Sequence, residues 1–153
     1  MSRIVAVAPA LPDYVYAQSE ITAELSELIT DDRTKRAVLS RFHAASGIGH
    51  RHTVLPLEQY RELTTFQQAN DLWITEGTAL AARAVTDALA SAGLDADQVD
   101  YLLFTSVTGM AAPSIDARLV PVLGLRQNIK RMPSFGLGSV SYTHLTLPTK
   151  RIV

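Results

Sequence analysis

Near its end the chain carries Arg131-Met132-Pro133-Ser134-Phe135-Gly136-Leu137-Gly138-Ser139, a spacing suited to covalent chemistry. A short extended run closes on two glycines and then offers a side chain that can act as a nucleophile, which is how a strand hands a reactive group to the start of a helix. Gly136 and Gly138 let the main chain turn tightly and let a substrate carbonyl approach backbone N–H groups. A helix beginning after residue 139 would add the positive end of its dipole, which lowers the pKa of a thiol at that place. A serine hydroxyl there needs a positioned general base instead. Three other readings of the motif fail on spacing. A hydrolase elbow needs glycine two before and two after its serine, where Leu137 and Ser141 stand. A dinucleotide loop needs a third glycine at 141, and a phosphate loop needs Gly-Lys followed by Ser or Thr.

The other candidates for chemistry are His43, His50 and His52, close in sequence but with no acidic or thiol ligand at useful spacing, so no metal site is expected. The chain has no cysteine, hence no disulfide framework and no thiol to replace Ser139.

A nucleophile on a turn needs a sheet and helices to hold it. Arg3 to Ala8 is a continuous β-prone apolar run, expected as a buried strand ended by Pro9 and Pro12. Gln18 to Ile29 carries Ile21, Leu25 and Leu28 at helical spacing, with Ser19 placed as N-cap. Asp31-Asp32 opens a second helix, whose expected apolar face is Ala37, Val38, Phe42 and Ala45 and whose end is Gly47. Residues 47–54 read as a loop or short strand and 55–60 as a turn. A long helix is expected from about Asn70 to Ala92, stopped by Gly93, with Gly77 as a packing position. Val99 to Ser106 reads as a central strand, with Thr105 to Gly109 at its carboxyl end, where α/β sheets place ligands. Ser114 caps a further helix limited by Pro121 and Gly124, and residues 128–135 supply the strand that delivers the elbow. The order strand, helices, strand, helix, strand predicts an α/β layered arrangement.

Composition is that of a soluble globular protein, 47% apolar and 19% charged. Residues 1–138 hold 12 basic and 15 acidic side chains, a net −3 that argues against a nucleic-acid surface. The N-terminal apolar run is too brief for a signal peptide or a membrane span, so a cytoplasmic protein is expected.

Phe135-Gly136-Leu137-Gly138 and the residue after it resemble the active-site segment of bacterial type III polyketide synthases, the chalcone-synthase-like condensing enzymes, and the resemblance covers residues 1–138. It implies the N-terminal half of a thiolase-like fold, with the long helix buried between sheets. It implies decarboxylative Claisen condensation of malonyl-CoA onto an acyl-CoA starter, with no permanently bound cofactor, in a homodimer without membrane or nucleic-acid partners. In the family a cysteine stands at the place of Ser139, and its histidine and asparagine partners come from the C-terminal half. Arg41 falls where a basic residue touches coenzyme A, while two further basic positions of the plant pattern are Val38 and Ala45 here. Val107, Thr108, Gly109, Ala112 and Pro113 match the cavity wall and dimer-crossing loop, with Ala112 where plant enzymes have a methionine that enters the neighbouring subunit. Leu123-Gly124-Leu125-Arg126 is also close to the family. An alkyl-pyrone product is expected. The alternatives are a 3-ketoacyl-ACP synthase III-like condensing enzyme, which Pro113 and Phe-Gly-Leu-Gly disfavour, or a non-catalytic thiolase-fold partner with serine in place of the nucleophile.

Residues 139–153 show neither helical nor strand periodicity. Val140 to Thr149 matches the read-through translation of a transposase-end sequencing adapter, whose preceding bases CT would make codon 139 one genomic base followed by CT. Serine then requires T there, the base that also begins cysteine codons. The expected organisation is therefore a truncated domain over 1–138 and a non-native tail over 139–153, with the chain as given inactive.

Overall fold

A computed structural model of the chain describes residues 3–136. They fall into two units, one comprising residues 11–69 and the other the N-terminal ten residues with the chain from Asn70 onward.

In residues 11–69, β1 (Tyr14–Ala17) pairs antiparallel with β2 (His50–Thr53), Tyr14 opposite Thr53 and Ala17 opposite His50. β1 has no strong sequence signature of its own and becomes a strand because β2 offers it a ladder. Helix α1 (Gln18–Ile29) follows without a break. Ser19 lies inside it rather than at its cap; the chain enters the helix at Ala17, whose N–H donates to the Glu20 carboxylate at 2.7 Å. Helix α2 (Arg33–Ala45) begins as its acids predict, Asp32 Oδ1 accepting from the N–H groups of Thr34 and Lys35. Its expected apolar face is corrected: Phe42 is 69% exposed and Val38 is also exposed. The face toward α1 is instead polar, with His43 Nδ1 hydrogen-bonded to Thr22 Oγ1 at 2.7 Å. Ile21 and Leu57, the latter on a 3-10 turn (Leu57–Glu62), are the buried apolar side chains of this unit.

The other unit is built on a β-α-β crossover. β3 (Tyr101–Ser106) and β4 (Lys130–Phe135) are parallel, Tyr101 opposite Lys130 and Ser106 opposite Phe135, and α4 (Ile115–Leu123) lies between them in sequence, as a parallel connection requires. Ile115, Leu119, Leu125 and Ile129 form the buried apolar core, each such side chain worth about 1.5–3 kcal/mol relative to exposure. Ser114 takes the N-cap position of α4, but its hydroxyl bonds to Asp116 instead of capping a main-chain N–H. Pro121 does not end α4, which runs on to Leu123 before Gly124 closes it in the left-handed conformation. Pro133 sits within β4, a place open to proline because β4 pairs on one side alone among the described residues.

Helix α3 (Phe66–Ala92) starts four residues earlier than its apolar pattern suggests. Thr65 Oγ1 accepts from the Gln68 N–H, and Gln68 Oε1 accepts from the Thr65 N–H in return. Gly93, with positive φ, ends it as expected. No residue of α3 is buried, against the expectation of a helix enclosed between sheets. Gly77 is not required by packing: a Cβ there would meet only Trp73 of the same helix at ordinary contact distance. The run 3–8 is likewise corrected. It forms no strand, and Ile4 and Val7 are more than 80% exposed, because a β-prone sequence becomes a strand only where a sheet edge receives its N–H and C=O groups.

Candidate active site

The elbow and the loop after β3 meet at the carboxyl ends of one strand pair. β3 ends at Ser106 and β4 at Phe135; the next residue, Gly136, has φ of 78° and donates its N–H to the Ser106 carbonyl at 3.1 Å. That φ is one a side chain rarely adopts, so the sharp turn here needs glycine. Gly138 and Ser139 lie outside the described residues.

Beside the turn is a cavity of about 480 Å³, mostly apolar, whose wall includes Trp73, Phe104, Gly109, Ala112, Pro113 and Phe135. Of the cavity residues expected from the sequence, Gly109, Ala112 and Pro113 are brought to it, joined by a cis Ala112–Pro113 peptide, and Phe135 of the elbow borders it too. Val107 and Thr108 are exposed and do not line it; the Thr108 N–H is held by the Ser106 hydroxyl at 3.2 Å.

Two features here were not evident from the sequence. Asp116, fully buried, accepts from Arg131 Nη1 at 2.7 Å and from the Ser114 hydroxyl. It thereby ties the start of α4 to the strand that delivers the elbow. In the sequence it reads only as an acid in a helix's first turn. The second is the contact of α3 with the loop: Asn70 Nδ2 donates to the Met110 carbonyl at 2.9 Å and Asn70 Oδ1 accepts from the Met110 N–H at 2.8 Å. Nothing local to either residue announces a pairing across forty positions.

Arg41, in the other unit, is exposed, and among the described residues no hydrogen bond or ion pair holds it. A hollow of about 710 Å³ between α1 and α2, of mixed polar and apolar lining that includes Ser19, Arg36, Ser40 and His43, does not include it. Among the described residues no group of three or more His, Cys, Asp or Glu side chains is placed to hold a metal ion; His43 bonds to Thr22, and His52 Nδ1 pairs with the Pro12 carbonyl at 2.8 Å.

The sequence profile of the chalcone and stilbene synthase N-terminal domain matches residues 1–149. The chain is 48% identical over 139 residues to a 1,3,6,8-tetrahydroxynaphthalene synthase from Streptomyces peucetius subsp. caesius, covering 91% of this chain and 37% of that protein. It is 27% identical over 135 residues to a phloroglucinol synthase from Pseudomonas fluorescens, covering 86% and 39%. Among solved structures, the type III pentaketide synthase from Neurospora crassa superposes with a TM-score of 0.80 at 19% identity over 94% of this chain and 39% of that one. The 1,3,6,8-tetrahydroxynaphthalene synthase from Streptomyces coelicolor gives 0.72 at 25% identity over 84% and 37%. The chain thus spans less than two fifths of the length of these relatives, and the superpositions identify a thiolase-like fold over their N-terminal portion.

Proposed function

The chain belongs to the chalcone and stilbene synthase family, and from that premise we propose that its residues form the N-terminal part of a bacterial type III polyketide synthase. In this reading the gene encodes cysteine at position 139, and its thiolate attacks the carbonyl of an acyl-CoA thioester, takes the acyl group and releases coenzyme A as the leaving thiolate. Malonyl-CoA then loses carbon dioxide, and the resulting enolate attacks the enzyme-bound thioester carbonyl, expelling the thiolate at 139 and leaving the extended 3-ketoacyl chain on coenzyme A. The observation that carries the reading is the meeting of the Gly136 turn and the Gly109–Pro113 wall at the carboxyl ends of β3 and β4, beside an apolar cavity. Main-chain N–H groups at such a turn favour an oxyanion, and the cavity offers room for a growing chain. Arg41 is assigned to the coenzyme A phosphates, for which an unpaired guanidinium fork is suited. Homodimer formation and a cytoplasmic location belong to the same proposal; among the described residues no helix is long and apolar enough to cross a membrane.

The relatives' names favour a hydroxylated aromatic product over the alkyl pyrone expected from sequence. A tetrahydroxynaphthalene carries no alkyl substituent, so its formation asks for no long acyl starter, whereas an alkyl pyrone retains one.

The chain as given is proposed to be inactive. Ser139 would need a base, and the resemblance assigns the family's histidine and asparagine partners to the C-terminal half. Incubating the purified 153-residue protein with radiolabelled malonyl-CoA and acyl-CoA starters is expected to yield no polyketide; product above the no-enzyme control would refute this.

Reading the genomic locus across codons 130–150 and several hundred bases beyond tests the synthase itself. TGC or TGT at codon 139, followed by an open frame encoding the histidine and asparagine partners, is the expected result. A genomic serine codon with the short tail would overturn it and leave a non-catalytic member of the fold.

A further inference from the structure

Loop 107–113 of the cavity wall is largely open to water: Val107 and Met110 are more than half exposed, yet Gly109 between them is buried. Its placement comes from one turn of α3. The Asn70 amide meets both main-chain groups of Met110, a planar two-point pairing that supplies what a neighbouring strand would otherwise give. Three residues on, and so on the same side of the helix, Trp73 lies directly against Gly109: a Cβ built on Gly109 would overlap the indole ring. Trp73 also lines the cavity, as do Gly109, Met110 and Ala112. The loop is therefore fixed by a polar clamp at one residue and an aromatic surface at the residue before it.

We propose that Asn70 and Trp73 are positioning residues of this site, the Asn70 amide fixing the Met110 main chain so that Gly109 seats on Trp73 and the cavity wall keeps its shape. Identification of the cavity as the one that receives polyketide chains rests on the function proposed above; the clamp does not.

The clamp has a chemical signature that simple packing lacks. A carboxylic acid in place of the Asn70 amide can both accept from the Met110 N–H and donate to its carbonyl while protonated, but as a carboxylate it can only accept, and it then faces the Met110 carbonyl with a negative charge. Trp73 is the chain's sole tryptophan, so its emission reports on this site alone. In the 153-residue protein, Asn70→Asp is expected to shift Trp73 emission to longer wavelength and to raise acrylamide quenching about two-fold at neutral pH, with both returning toward wild type below about pH 4, the ordinary aspartate range. Wild type should show no such transition, and Gly109→Ala should carry the shift at every pH. Unchanged emission in both variants across the range would overturn the proposal.

Should the variants not fold, amide exchange of the unmodified chain decides. Met110 is expected to exchange at least ten-fold more slowly than its free-chain rate; exchange at the free-chain rate overturns the clamp. No arm reads condensing activity. A genomic serine codon would remove the synthase reading and leave the clamp standing, whereas an unprotected Met110 would remove the clamp and leave the synthase.

Discussion

Around α4, Ile115 and Asp116 are wholly sealed from solvent and Leu119 nearly so, and the carboxylate among them is matched by Arg131 and Ser114. Residues 11–69 are held differently. Ile21 and Leu57 are buried there, but among the described residues the ties between side chains and their neighbours are largely polar and at most half-buried on the arginine side: Arg61 with Glu24 at 2.9 Å, exposed, and, part-buried, Arg36 Nε to the Thr30 carbonyl at 2.7 Å and Arg51 Nε to Gln18 Oε1 at 2.6 Å. Apolar burial with a satisfied charge inside fixes geometry tightly, while exposed ion pairs contribute little and are screened by salt. The first regime surrounds the strands that carry the elbow. The second surrounds the helix that bears Arg41, an exposed cation that no ion pair holds among the described residues.

Substitutions can break that contrast. The largest loss is expected from Leu119→Ala, about 2–5 kcal/mol of stability through lost burial and the cavity left behind, read as faster amide exchange in β3 and β4. Asp116→Asn should cost less, about 1–3 kcal/mol, because Arg131 is partly exposed and can turn to water when its partner charge is gone. Equal effects from these two would mean that the ion pair, not the apolar seal, organises the region. In the other unit, Asp32→Ala should cost about 1 kcal/mol through the lost N-cap of α2, visible in the exchange of the Thr34 and Lys35 amides.

Arg61→Met should be the smallest effect, without measurable change in the denaturation midpoint at physiological salt. The Arg61 pKa is raised above the usual arginine value, chiefly by its hydrogen bond to Glu24. A raised pKa gives stability that is present below the unfolded value and is lost only as pH rises through the folded one. Wild type and Arg61→Met should therefore run parallel from pH 6 to 9, and divergence there would show a stronger polar framework in this unit than its exposure suggests.

Where periodicity and caps acted locally, the sequence was readable: α2 from Asp32, the end of α3 at Gly93, the strands on either side of α4, and the turn at Gly136. Errors arose where a partner decides. Residues 3–8 have strand composition without a ladder, and Tyr14–Ala17 has a ladder with little signature. Phe42 and Val38 show that an apolar stripe marks a face able to be covered, not one that is covered among these residues. The start of α3 could have been placed from Thr65-Phe66-Gln67-Gln68, a Ser/Thr-x-x-Glu/Gln box that the apolar count passed over. For the site, Gly109, Ala112, Pro113 and Phe135 were accessible through family resemblance. Asn70, Trp73 and the Asp116–Arg131 pair act across long sequence separations and leave no spacing to find.

The bond between Asp116 and Arg131 also bears on which changes of length the gene could tolerate. A strand advances about 3.3 Å per residue and reverses its faces at each step. Inserting or deleting one codon between Arg131 and Gly136 would either pull the arginine from its buried partner or carry the turn a full residue past Ser106, with the opposite face presented. Codons in the exposed loop around Gln127 and Asn128 face no such double constraint. Insertions and deletions should be admitted there and refused within β4, making that strand a fixed-length spacer between an anchored charge and the glycine turn at 136.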